Sequence, residues 1–227
     1  MIKVVFLDID NTLLDFDACV RETLKSGFAD FGLGSYSETV YETFTRINNR
    51  FWKELEVGKI VLEDIRRDRF NTIFEALGVK GDGPAFETYF RERLDASAIP
   101  VEGAESFLRT LSGKYRLCAA SNGPLNQQMD RMNKAGMTGF FEQLFISGAI
   151  GAPKPSEAFF AHCFRALPGV APEEMMMVGD ALSSDIGAAR FGLKTCWLNR
   201  YGLPMDGEYK PDCEVKSLSE ILERNIL

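Results

Sequence analysis

Asp8 and Asp10 follow the apolar run Ile2–Leu7 in the stretch Asp8-Ile9-Asp10-Asn11-Thr12. Side chains two apart on an extended chain share a face, so both carboxylates can enter one site. Two anions this close require a cation or a shared proton. A surface turn or a helix N-cap would use the same residue types, so the pair alone does not decide. Further along, Ser121-Asn122-Gly123 closes the apolar run that ends at Ala120. A small hydroxyl beside a permissive glycine, ahead of a helix, can offer an O–H and main-chain N–H groups to an oxyanion, although a plain N-cap reads the same way. In Gly151-Ala152-Pro153-Lys154-Pro155 one lysine sits between two prolines. Restricted backbone on both sides suits a cation placed for one anion, and a solvated lysine in a proline loop is the alternative. Met175-Met176-Met177-Val178-Gly179-Asp180 ends another apolar run in an acid, with Asp185 five residues later. The methionines read as core, but two carboxylates at the end of a buried strand are harder to assign to packing.

These residues need elements to bring them together, and the sequence supplies an α/β pattern. Ile2–Leu7 reads as a first strand. Residues 15–97 carry helical periodicity with no strand candidate, as four helices near 17–31, 36–57, 61–77 and 84–95. Beyond Pro100, helices near 103–112 and 125–135, another after Pro155 and a last one from Ser217 alternate with strands near 116–120, 143–147, 175–178 and 194–198. Short apolar runs between amphipathic helices predict a doubly wound, mostly parallel, Rossmann-like sheet. Residues 1–14 and 98–227 form the α/β core and residues 15–97 an inserted all-helical cap. In open α/β sheets the ligand lies beyond the carboxyl ends of the strands, where Asp/Asp, Ser, Lys and Asp/Asp occur in succession.

Composition limits the chemistry. The chain has 227 residues, 33 Asp plus Glu against 26 Lys plus Arg, a net charge of −7 and one histidine. A site built on several imidazoles is therefore impossible, and Ser-His or Cys-His catalysis would rest on His162 alone, which sits within the helix after Lys154 and reads as structural. The acidic balance argues against a nucleic-acid polymer as partner. Carboxylates are left as the working groups, most simply with a hard cation such as Mg²⁺. Five isolated cysteines without a C-x-x-C pair read as reduced thiols. With no signal-like start and no apolar run long enough to span a membrane, the expectation is a cytoplasmic protein, as monomer or homodimer.

Taken as a set, Asp8-x-Asp10-x-Thr12, Ser121, Lys154 and Gly179-Asp180-x-x-x-x-Asp185 resemble the four motifs of the haloacid-dehalogenase-like hydrolase superfamily. The resemblance implies that Asp8 is the nucleophile forming an aspartyl-phosphate and that Asp10 protonates the leaving oxygen and later helps activate water. It further implies that Ser121, Asn122 and Lys154 hold the phosphoryl oxygens. Mg²⁺ would be bound by Asp8, the Asp10 carbonyl and Asp180, with Asp185 as a direct or outer ligand. An acid at position 10 distinguishes phosphoester chemistry from the dehalogenases. Asn11 departs from the glycine of many relatives. Phe51-Trp52, Val57-Gly58-Lys59-Ile60, Arg69-Phe70 and Cys196-Trp197-Leu198-Asn199 are similar to the pyrimidine 5′-nucleotidase subgroup. Phe16, Arg46, Asn49, Trp52 and Arg69 then become candidates to face substrate, or else residues that pack or solvate the cap. The implied activity is a Mg²⁺-dependent phosphatase of a small phosphomonoester, with nucleoside 5′-monophosphates favoured. A sugar-phosphate phosphatase or phosphomutase is the alternative within the superfamily. A receiver-type phospho-acceptor module is the alternative outside it, although such modules are about half this length and lack a helical insert.

Overall fold

The computed structural model describes residues 1–227. In chain order the elements are β1 (Val4–Leu7), α1 (Phe16–Asp30), α2 (Glu38–Glu56), α3 (Leu62–Leu77), α4 (Gly83–Ala96), α5 (Ala104–Ser112), β2 (Arg116–Ser121), α6 (Leu125–Lys134), β3 (Gln143–Ile146), the single turn α7 (Ser147–Ile150), α8 (Glu157–Ala166), β4 (Met175–Gly179), β5 (Lys194–Leu198), β6 (Cys213–Val215) and α9 (Leu218–Glu223). They divide into two compact units, Met1–Asp15 with Ala98–Leu227, and Phe16–Ser97.

The first unit is a six-stranded parallel sheet in the order β3-β2-β1-β4-β5-β6. All four residues of β1 are fully buried, because both faces of the sheet are covered. Val5 and Leu7 point to the side packed by Phe107 and Leu108 of α5 and Leu218 and Ile221 of α9. Val4 and Phe6 point to the side packed by Phe159, Phe160 and Cys163 of α8. A period-2 strand with both sides apolar is the arrangement that a doubly wound sheet requires. The chain runs from β1 outward to β2 and β3, then crosses to the other side of β1 for β4. That reversal opens a crevice at the carboxyl ends of β1 and β4. Two elements lie outside the sequence reading. The edge strand β6 is too short and mixed (Cys-Glu-Val) to show a period, and α7 is one turn.

The second unit is the inserted helical domain, α1 to α4. Its core is unusually aromatic: Phe28, Phe44, Phe70, Phe74, Phe86 and Phe90 interlock with ring centroids 4.7–6.4 Å apart. Within this apolar surround lies an ion pair. Arg69 donates two hydrogen bonds from Nη2 and one from Nε to Glu87, at 2.7–3.1 Å, and Nη1 donates to Asn48 at 2.8 Å. Burial pushes the Glu87 carboxyl up, and the Arg69 charge pulls it back only in part. Arg69, a sequence candidate for substrate contact, is therefore spent on holding α3 to α4 and α2.

Removing one partner of a buried pair leaves an uncompensated charge, whereas replacing both with apolar groups does not. Glu87→Ala is expected to lower stability by about 3–5 kcal/mol and the pair Arg69→Met with Glu87→Leu by much less; urea unfolding of the two variants measures both.

Candidate active site

The site lies at the ends of β1, β2 and β4, and each piece is held by a local device. Asp8 is the first residue past β1, and its N–H still donates to Val178 O at 3.0 Å, so its start is fixed by the sheet. The chain then turns sharply. Leu13 N and Leu14 N both return to Ile9 O at 2.9 Å, and Asn11 N reaches Leu14 O at 2.7 Å. This turn needs a left-handed residue, and Asn11 supplies it at φ 57°. Asparagine tolerates that region better than most other side chains, so it can take a turn position that otherwise favours glycine.

Lys154 is the centre of charge. It is 1% exposed, and Nζ donates to Asp8 Oδ1, Asp185 Oδ1 and Ala120 O, each at 2.6 Å. Three donors and three acceptors leave the ammonium fully used. Its backbone is clamped as well: the Asn122 side chain accepts from Lys154 N at 2.7 Å and donates to Lys154 O at 3.0 Å. The Asn122 amide therefore positions the lysine. Burial alone would pull the lysine down, but Asp185 and Asp8 hold it above the ordinary lysine range.

Asp185 is fully buried. Its Oδ2 accepts from Ala181 N at 3.0 Å, folding the chain after β4 back over Gly179. A Cβ on Gly179 would stand 2.2 Å from that same oxygen, so only glycine lets the acid occupy this place. Asp180 is steadied from β5, where the buried Trp197 indole donates to its carbonyl at 2.8 Å. One carboxylate oxygen from each of Asp8, Asp180 and Asp185 lies within 4.8 Å of the others. Burial raises Asp8 from 3.8 to about 8; Lys154 opposes the rise, and Asp185 and Asp10 add to it. One ammonium thus does not neutralise the cluster. An all-oxygen, charge-deficient donor set of this kind fits a hard divalent cation.

Asp10 goes elsewhere. Its Oδ1 accepts from Arg131 Nη1 and its Oδ2 from Gln128 Nε2, both at 2.6 Å, so its carboxylate is turned to α6 and is not one of the three that converge. Gln128 Nε2 also donates to Ser121 Oγ at 3.0 Å. Neither Gln128 nor Arg131 stood out in the sequence. The available signal was helix α6 itself: with Leu125, Met129 and Met132 as its apolar residues, its inward face has to include polar side chains. His162 is exposed and packs edge-on to Phe145, far from an acid–base role. Of the helical-unit candidates, Phe16 packs on Phe44, and Trp52 is half-buried. Arg46 and Asn49 line a cavity of about 410 Å³ with Arg50, Lys53 and Lys59.

The chain matches the model of the haloacid dehalogenase-like hydrolases over residues 2–191. It belongs to that family. It is 30% identical to pyrimidine 5′-nucleotidase PynA of Streptococcus pneumoniae, over 99% of this chain and 97% of that protein. It is 28% identical to pyrimidine 5′-nucleotidase YjjG of Escherichia coli, over 96% and 95%. The crystal structure of the HAD-hydrolase YfnB of Bacillus subtilis bound to magnesium superposes with a TM-score of 0.88 at 27% identity, covering 100% of this chain and 99% of that one. No helix here is long and apolar enough to cross a membrane.

A cation that binds only the folded acid cluster stabilises it by mass action, about 2.7 kcal/mol at a hundredfold excess over Kd. Millimolar Mg²⁺ is expected to raise Tm by several degrees, and Asp180→Asn to abolish most of that rise, in thermal melts with and without EDTA.

Proposed function

We propose that this haloacid dehalogenase-like hydrolase is a Mg²⁺-dependent phosphatase of small phosphomonoesters, with nucleoside 5′-monophosphates as the favoured class. The observation that carries the reading is the buried Asp8 carboxylate at the end of β1, bonded to the Lys154 ammonium and grouped with the acids Asp180 and Asp185. The two nucleotidase relatives favour the nucleotide over other phosphomonoesters.

Asp8 is the nucleophile. As its oxygen bonds to phosphorus, the ester P–O bond breaks, the electron pair stays on the leaving oxygen, and a proton from Asp10 neutralises it. Water then attacks the aspartyl-phosphate, the bond from Asp8 to phosphorus breaks, and Asp10 takes the proton from the water. Ser121 donates its O–H to a phosphoryl oxygen. Lys154 fixes Asp8 in place, and its charge offsets the repulsion between a carboxylate and a phosphate dianion. Asn122 serves by keeping Lys154 in register. Asp8, Asp180 and Asp185, with the Asp10 main-chain carbonyl, would hold Mg²⁺, which supplies the remaining positive charge needed for attack on an anion. No histidine is required.

Purified protein with Mg²⁺ is expected to release phosphate from an aryl phosphate and, in a panel of nucleotides, sugar phosphates and phospho-acids, to favour nucleoside 5′-monophosphates. Asp8→Asn should lower turnover by at least about a thousandfold. Undiminished turnover in that variant would overturn the mechanism, and a stable phosphoprotein without turnover would point to a phospho-acceptor module.

A further inference from the structure

We infer that Gln128 and Arg131 of α6 are positioning residues that lock the acid–base carboxylate of Asp10 and the phosphate-facing hydroxyl of Ser121 into one hydrogen-bonded unit. The inference rests on the phosphatase reading and adds two residues to it.

Both side chains are 1% exposed, so their polar groups must be satisfied inside the protein. Arg131 Nη1 donates to Asp10 Oδ1 at 2.6 Å and to Gln128 Oε1 at 3.2 Å. Gln128 Nε2 donates to Asp10 Oδ2 at 2.6 Å and to Ser121 Oγ at 3.0 Å. The orientation of the glutamine amide follows from the chemistry, since its N–H groups face two acceptors and its oxygen faces a guanidinium. Space for it is made by Gly123, where a Cβ would stand 2.3 Å from Gln128 Nε2.

Two consequences follow. Ser121 Oγ accepts from Gly123 N at 3.1 Å and from Gln128, which occupies both of its lone pairs. Its proton is then the group it has to offer, and the hydroxyl is fixed as a donor. Asp10 has one lone pair on each oxygen engaged and one left on each. It is therefore held in a single rotamer while remaining able to give and take a proton. Arginine suits this place because it grips a carboxylate and does not itself surrender a proton. The Nε of Arg131 is buried with no hydrogen-bond partner.

The test compares phenyl phosphate, whose leaving oxygen needs a proton, with dinitrophenyl phosphate, whose leaving oxygen does not. Asp10→Asn sets the reference pattern. Arg131→Met is expected to lower kcat/KM for phenyl phosphate on the order of a hundredfold and for dinitrophenyl phosphate by no more than about threefold. Arg131→Lys should recover part of the loss. Gln128→Met is expected to give the same split together with a raised KM for both substrates, because Ser121 loses a partner as well. If Arg131→Met does not fold, Gly123→Ala pushes the Gln128 amide aside without replacing Gln128 or Arg131 and should reproduce the Gln128 pattern. An equal fall on both substrates, or none, in variants that fold while Asp10→Asn shows the split, overturns the inference and leaves the phosphatase reading standing. A wild-type protein that hydrolyses neither substrate overturns both.

Discussion

Carboxylates do not belong in the interior of a protein without counter-charge, and the crevice beside β1 brings three together, two of them buried. The one ammonium within reach, Lys154, is shared between Asp8 and Asp185 and tied to a main-chain carbonyl. Much of the local architecture serves that arrangement. The Asn122 amide closes on both sides of the lysine backbone. Gly179 has no side chain, so that Asp185 can lie across the end of β4. The Trp197 indole secures the carbonyl of Asp180 from the neighbouring strand. Each device lies on a different strand or loop, so the charge balance exists only when the parallel sheet is fully assembled. Such a cluster is a poor source of stability, and perturbed carboxylates of this kind gather at functional sites.

A second charge centre lies a few residues away. Asp10 is linked to α6 through Arg131 and Gln128, and both its oxygens are engaged. Two carboxylates that are neighbours in sequence therefore sit in unlike surroundings: Asp8 buried against a lysine and other acids, Asp10 partly exposed and gripped by an arginine and an amide. Unlike surroundings are what allow two identical groups to take different roles in one reaction.

Much of this was readable in the chain. Strands ending at Leu7, Ser121 and Gly179 announce themselves because a short apolar run stops at a polar or small residue, and the open α/β rule then says where the ligand goes. The four helices of the insert are regular enough that their boundaries fall within one or two residues of those expected. What could not be read was side-chain commitment. An extended-chain argument places Asp8 and Asp10 on one face, but the tight turn through Asn11 and the donors on α6, over a hundred residues away in the chain, draw Asp10 aside. Arg69 carries the same charge whether it meets a substrate or a buried glutamate, and only the packing of α3 against α4 decides. Asn122 reads equally well as a phosphate contact or as a brace for its neighbour. Composition and period report which residues are inward, not whom they meet there.

The two points where the chain leaves and rejoins the sheet domain adjoin each other. Asp15 N bonds to Ile99 O at 2.8 Å, Val101 N bonds to Leu13 O at 2.9 Å, and Leu14 pairs with Pro100. Arg200 adds a bond to Asp15 at 2.6 Å. The sheet domain is thus sealed at the gap by its own main chain, and everything between the two crossings is topologically a loop. A loop whose ends are pinned together can be lengthened at an entropic cost that grows only with the logarithm of its length. Selection could therefore lengthen, shorten or exchange the inserted module while the acid cluster stayed unaltered, which makes this seam a place where the chain tolerates whole-domain insertion.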